Sequence, residues 1–337
     1  MSFTSVAVLG IAALFATFAG FNDAGVLVGI GSGIRGLRPF AALMLLTAAV
    51  IGTPLIVGTA VAATLDGRLV PSGSDDGPAR AQMLCGIVAA VAVTVSLAAR
   101  RLPTSLTLAL IGGIAGAGLG GRMAGADAGS ADWAVVGRVL CLAAAAPLAG
   151  AALAVAVGRL LAVVPPAVHG RAGRDGAGRR LQWLHMGGFG AICLAYGAND
   201  GQKMLAVYAA LLGGEPDRYA RSPLAAGLIA GCFLLGGAVG LRRLGPLGGG
   251  LAVARQDGVV LTELSSAGVV LGTAAVGAPV SMTQSMSGAL VGTGLRRGTR
   301  RVRWARVVGL GWAWMLTLPM AFLAGGVGAV IVVSVAF

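Results

Sequence analysis

The chain has 337 residues, 57% of them apolar and only 11% charged, with a formal net charge of +13. A soluble domain carries about 25% charged residues, so a water-covered globule is excluded. A mean hydropathy of +0.88 and apolar runs near 20 residues indicate an all-α polytopic membrane protein whose main partner is the lipid bilayer. The positive charge does not point to nucleic acid, because the basic residues are grouped in loops between apolar spans, where they report orientation.

In chain order, spans are predicted near 4–33, 39–65, 81–99, 103–121 and 133–164, then a basic Gly/Pro-rich linker over 165–181, then spans near 182–213, 224–240, 256–276, 279–295 and 307–336. The apolar start has no basic leader region and runs into a polar motif, so it reads as the first span and not as a signal peptide. With the N-terminus outside, the inner loops hold 18 Arg against Asp175 and Asp257, net +16, and the outer loops come to −1. That asymmetry is the positive-inside pattern of a multi-pass plasma-membrane protein. It places both termini outside and the linker in the cytoplasm. The 57 Gly show no collagen period and fit close helix packing in lipid. Trp133, Trp183 and Trp304 fall near predicted span ends, as in an interfacial belt.

One short pattern occurs twice. Gly20-Phe21-Asn22-Asp23 is matched by Gly197-Ala198-Asn199-Asp200 at an offset of 177, and Pro103-Thr104-Ser105-Leu106-Thr107 by Pro279-Val280-Ser281-Met282-Thr283 at an offset of 176. At the second offset Gly112, Gly116 and Gly118 align with Gly288, Gly292 and Gly294. From Asn to Pro is 81 residues in one half and 80 in the other, which indicates duplication. Five crossings per half is an odd number, so the second half enters from the opposite face. The expected architecture is two inverted-topology repeats of about five segments, residues 1–164 and 182–337, with re-entrant or broken helices and a site near the midplane between them.

Once the charges near span ends are assigned to the loops, only Asp23, Asp200 and Glu263 among the twelve acids, and Lys203 among the bases, remain inside apolar spans. An intramembrane carboxylate costs about 2.5–3.5 kcal/mol on insertion scales and needs a partner or a function. Asn22, Asp23, Asn199 and Asp200, beside Gly breaks that free backbone carbonyls, suit a cation, Na⁺ or a proton. Glu263 joins that set. Thr104, Ser105, Thr107, Ser281, Thr283 and Ser285 follow prolines expected in the first turn of a helix. Two such helix ends, with free N–H groups, positive partial charge and hydroxyls, would cradle a tetrahedral oxyanion. Lys203, the chain's one lysine, is expected to neutralise Asp200 or Glu263 or to add charge for the anion; Gln202 and Gln284 are auxiliary. His169 and His185 read as loop or interface histidines. Cys85, Cys141, Cys193 and Cys232 stand singly and read as small buried hydrophobes. No zinc or haem pattern is present, and no cofactor beyond the coupling ion is expected.

These motifs resemble the PiT family of inorganic phosphate transporters, the phosphate permeases. That family carries two copies of a Gly-x-Asn-Asp signature, each followed by a Pro-[Thr/Val]-Ser-x-[Ser/Thr] re-entrant segment, in inverted repeats. The stretch Gly197–Lys203 is the most specific match, and the likeness covers essentially the whole chain. It implies a symporter of inorganic phosphate driven by Na⁺ or H⁺, with the cation at the Asn-Asp pairs and phosphate at the Ser/Thr segments. The chain departs from the pattern at Leu108 and Gln284, where the family usually has His, at Leu106 and Met282, where a hydroxyl is usual, and at Gly25-Val26, where Ala-Asn is typical. The short linker implies no large cytoplasmic domain. Rival readings are a transporter of another oxyanion such as sulfate, a passive channel, and an intramembrane enzyme; the last lacks any Ser/His/Asp set, metal cluster or His in a span, so no enzyme activity is expected. The oligomeric state is left open, a homo-oligomer included.

Overall fold

An apolar helix in lipid satisfies its own backbone, so long apolar runs become long helices and polar residues within them become the points of irregularity. The computed structural model describes residues 3–31, 37–65, 77–100, 104–126, 132–163, 174–244 and 256–336. The first predicted span is α1 (Phe3–Ala19), a π-helical turn over Gly20–Ala24, and α2 (Gly25–Gly31). The Asn-Asp pair therefore sits in a wide turn within a continuous helix; no full break separates the two halves. Such π turns are rare in helices and concentrate at functional sites. The second span ends early. Pro54 lies in α3 (Pro39–Val57), and Gly58, at φ 84°, stops it before the short α4 (Ala60–Ala63). Then come α5 (Gly77–Ala99), α6 (Leu106–Met123) and α7 (Trp133–Val163).

The second half follows the same order. The helix α8 (Arg174–Tyr196), a π turn over Gly197–Gly201 and α9 (Gln202–Leu212) repeat the first element. After the short α10 (Pro216–Ala220) come α11 (Pro223–Leu244), α12 (Gln256–Ala275), α13 (Met282–Leu295) and α14 (Trp304–Ala336). Among the described residues, eight helices are long and apolar enough to cross a membrane. The predicted segments 182–213 and 279–295 are not among them. The first carries Asn, Asp, Gln and Lys; the second begins extended, and its helix is only 14 residues, about 21 Å long. The sequence predicts a helix starting at Pro279, but Pro279 lies in the extended stretch and Ser281 is the N-cap. Most of the linker, with His169, and Pro103 lie outside the described residues.

Glycine contacts fix the packing. A Cβ on Gly112, Gly116 or Gly120 of α6 would fall 2.5, 2.0 or 2.1 Å from the carbonyl oxygens of Leu318, Phe322 and Gly326 on α14. On α13, Gly288 and Gly292 meet the carbonyls of Pro147 and Ala151 on α7 at 1.9 and 2.3 Å in the same sense. In both pairs the numbering rises together, so α6 runs parallel to α14 and α13 parallel to α7. Consecutive helices α13 and α14, joined by a short connection, run in opposite directions, so α13 opposes its repeat equivalent α6. The repeats are inverted, and each packs its glycine-rich helix on the last helix of the other. The π turns obey the same exchange: Gly20 abuts Phe233 of α11, and Gly197 abuts Ala49 of α3. Trp133 and Trp304 open α7 and α14 with exposed rings, as expected of residues at a membrane interface.

Candidate functional site

The 81- and 80-residue spacings become contacts. Asn22 donates from Nδ2 to the Thr104 carbonyl at 3.4 Å and accepts the Thr104 hydroxyl at 3.3 Å. Asn199 donates to the Ala278 carbonyl at 3.1 Å and accepts the Val280 N–H at 3.3 Å. In each half the Asn of the π turn holds the extended segment that leads into α6 or α13. Asn199 thus has both polar atoms committed to positioning that segment. Asn22 additionally donates to Asp23 Oδ1 at 2.8 Å.

The segments end in N-caps. Ser105 and Ser281 are extended and accept the N–H groups of Leu108 and Gln284 at 3.3 and 3.4 Å. The hydroxyls expected to face an anion are therefore partly engaged in capping, as Ser commonly is at this position. The other N–H groups of the first turn after each cap have no intrahelical acceptor and carry the positive end of the dipole. Thr283, partly exposed, lies 3.0 Å from the Ser281 hydroxyl. Ser285 Oγ and Gln284 Oε1 on α13 are buried with no hydrogen-bond partner among the described residues, and so is Asp200 Oδ2. Buried polar atoms without partners are uncommon in folded proteins, and all three belong to the motifs singled out in the sequence.

Lys203 joins the halves. Its ammonium donates to Asp200 Oδ1 at 2.7 Å, to Thr107 Oγ1 at 2.7 Å and to the Val280 carbonyl. Thr107 in turn lies 3.4 Å from the Val280 carbonyl. Of the two partners considered for Lys203, Asp200 is the one found. Tyr196, which the motif reading missed, is fully buried and donates its hydroxyl to Asp23 Oδ2 at 3.0 Å across the repeat boundary. Its signal in the sequence was its place one helical turn ahead of Asp200, on the same helix face. Gln202 accepts the Val61 and Ala62 N–H groups at 2.8 and 3.2 Å, so it caps α4 and ties it to α9.

Glu263 stands apart. Its carboxylate is wholly buried against His185, whose Nδ1 lies 2.9 Å from Oε1 and 3.0 Å from Oε2. His185 is on the same helix as Asn199 and ~20 Å from it at about 1.5 Å per residue. The reading of His185 as a loop or interface histidine, and of the spans as free of His, is thereby corrected. α8 extends back to Arg174 and turns His185 toward α12, with 0% exposure for both partners. A buried carboxylate needs a donor, and that requirement was the available clue.

The sequence profile described as "Phosphate transporter family" matches the chain twice, over residues 19–176 and 165–325. The chain belongs to the phosphate transporter family. That family is one of transporters and not of enzymes. A "Probable low-affinity inorganic phosphate transporter" of Mycobacterium leprae is 30% identical over 92% of this chain and 73% of its own length. A protein of the same description from Rhizobium meliloti is 25% identical over 94% of this chain and 93% of its own. A solved structure described as "The sodium-dependent phosphate transporter" shares the fold, with a TM-score of 0.82 at 16% identity, covering 98% of this chain and 99% of that one. This member of the family departs from a fully symmetric site: the two π turns and two capped helix ends are paired, but their charges are not.

Proposed function

We propose that the protein is a secondary transporter of inorganic phosphate, coupled to Na⁺ or H⁺ and working by alternating access. The observation that carries the reading is the hydrogen bonding of each Asn-Asp turn to a segment ending in a Ser-capped helix N-terminus. Carboxylates suited to a cation and helix ends suited to an oxyanion thus lie side by side at the junction of the two repeats. The cation would lie at the Asn-Asp turns, where Asp23 is the carboxylate held only by neutral groups and Asp200 already faces Lys203. The anion would lie at the α6 and α13 ends, with Thr104, Ser105, Thr107, Ser281, Thr283 and Ser285 among its surroundings.

Coupling follows from electrostatics. A carboxylate ~5 Å from an incoming anion opposes it by about 3 kcal/mol at an effective dielectric of about 20. A bound cation removes that opposition, so the two ligands enter together. Glu263, bonded to His185, is assigned no part in holding the cation. The family profile and the names of the relatives support phosphate as the substrate, and the structural neighbour, described as sodium-dependent, favours Na⁺. The charge asymmetry of the loops supports a plasma-membrane orientation with termini outside and residues 165–181 cytoplasmic. The test is uptake of labelled phosphate into proteoliposomes under imposed Na⁺ or pH gradients, with sulfate as competitor. Asp23→Asn is expected to abolish gradient-driven accumulation; wild-type accumulation in that variant would overturn the assignment.

A further inference from the structure

The two Asn-Asp turns match in sequence but differ in charge. The offset that relates Asp23 to Asp200 also relates Val26 to Lys203. An ammonium has three N–H donors, and three oxygens surround this one: the carboxylate of Asp200, the hydroxyl of Thr107 and the carbonyl of Val280. Carboxylate, hydroxyl and carbonyl oxygens are also what a small hard cation takes as ligands. Lys203 is 3% exposed, so its charge is fixed inside the protein. Asp23 is held differently. It accepts from Asn22 and Tyr196, both neutral, and among the described residues it forms no ion pair. With only one lysine in the chain, no second lysine can fill the corresponding place in the first repeat.

We infer that Lys203 is a tethered cation that fills the second repeat's cation position, leaving the exchangeable coupling cation to the Asp23 side. The inference rests on the reading of the protein as a cation-coupled phosphate transporter. Asp200 Oδ1, Thr107 and Val280 are taken up by the ammonium, and a mobile cation entering beside it would meet like charge. Each transport cycle therefore carries one mobile cation fewer than a site with two open Asn-Asp turns. Lys203 also determines stoichiometry without leaving the protein, because a charge that is part of the chain does not count in the net charge delivered across the membrane.

The experiment measures charge per phosphate in proteoliposomes containing the full chain. Voltage is set with a potassium gradient and valinomycin, and Na⁺ and pH are held at known values on both sides. The voltage at which labelled phosphate flux reverses gives the charge moved per phosphate, whichever cation is used. Lys203→Met is expected to move one more positive charge per phosphate than the parent chain, and Val26→Lys one fewer. An unchanged reversal voltage in a transporting Lys203→Met variant overturns the inference. If Lys203→Met binds but does not turn over, the Na⁺ and pH dependence of its thermal unfolding in detergent is read instead. One additional bound cation supports the inference, and an unchanged dependence overturns it. If that variant does not fold, Val26→Lys decides in the same way. Absence of phosphate flux in the parent chain at every Na⁺, pH and voltage would instead overturn the transport reading itself.

Discussion

Asn199→Ala tests whether the Asn of each signature positions a segment. The native side chain spans from the π turn to the stretch before α13, donating to Ala278 O at 3.1 Å and accepting Val280 N–H at 3.3 Å. Truncation leaves the Val280 N–H and the Ala278 carbonyl without these partners in a buried place. Each orphaned group costs about 1–3 kcal/mol, so the segment loses at least about 2 kcal/mol of its hold. Because a factor of ten corresponds to about 1.4 kcal/mol, the open population rises about 30-fold or more. Hydrogen exchange followed by mass spectrometry on peptides covering 276–284 reads that population directly. Exchange there should accelerate by that factor, while peptides from the α6–α14 pair stay protected. Asn199→Asp keeps an acceptor for Val280 and loses the donor to Ala278, so it should fall between. Unchanged protection of the 276–284 peptide in Asn199→Ala would refute a positioning role and return Asn199 to a direct role at the cation.

Gly288→Ala should force α13 away from α7, since its Cβ would fall 1.9 Å from the Pro147 carbonyl; overpacking of this kind costs about 1–3 kcal/mol. A lower unfolding temperature in detergent is expected, with Gly187→Ala, which meets nothing within 4 Å, as the unaffected control. His185→Leu and Glu263→Leu should each destabilise by about 3–5 kcal/mol, because each strands a buried partner. The double variant should lose less than the sum in the same unfolding assay; strict additivity would show that the two side chains are not coupled.

The repeat was legible because two motifs shared one spacing, and the structure turns that spacing into hydrogen bonds between Asn22 and Thr104 and between Asn199 and Val280. The glycines at the common offset were legible as packing residues, but not their partners. That Gly116 meets Phe322 and Gly292 meets Ala151 depends on how the repeats interlock, and no local pattern encodes that. The π turns read as breaks in the sequence because Gly beside Asn-Asp favours either outcome. The choice depends on tertiary contacts such as Gly20 against Phe233. The prolines mislead in a specific way: Pro is favoured at a helix start, but Ser281 caps better, and the helix begins only after it. His185 was hidden by its nearness to a basic loop, and its pairing with Glu263 spans 78 residues with no repeat counterpart to announce it.

The symmetry of the scaffold and the asymmetry of its charges do different jobs. Parallel glycine contacts exchanged between repeats give two halves of matching architecture, the kind of scaffold on which the proposed alternating access would operate. Charges inside a membrane protein obey a separate constraint, because each unpaired one is costly. Asp23, Asp200 and Lys203 together leave the cluster with a single negative charge. A perfectly repeated site, with two open aspartates, would need two cations to reach neutrality. On the proposed reading, one monovalent cation at Asp23 would suffice here, and a neutral cluster flanked by the N-termini of α6 and α13 would be one that an oxyanion can approach without repulsion.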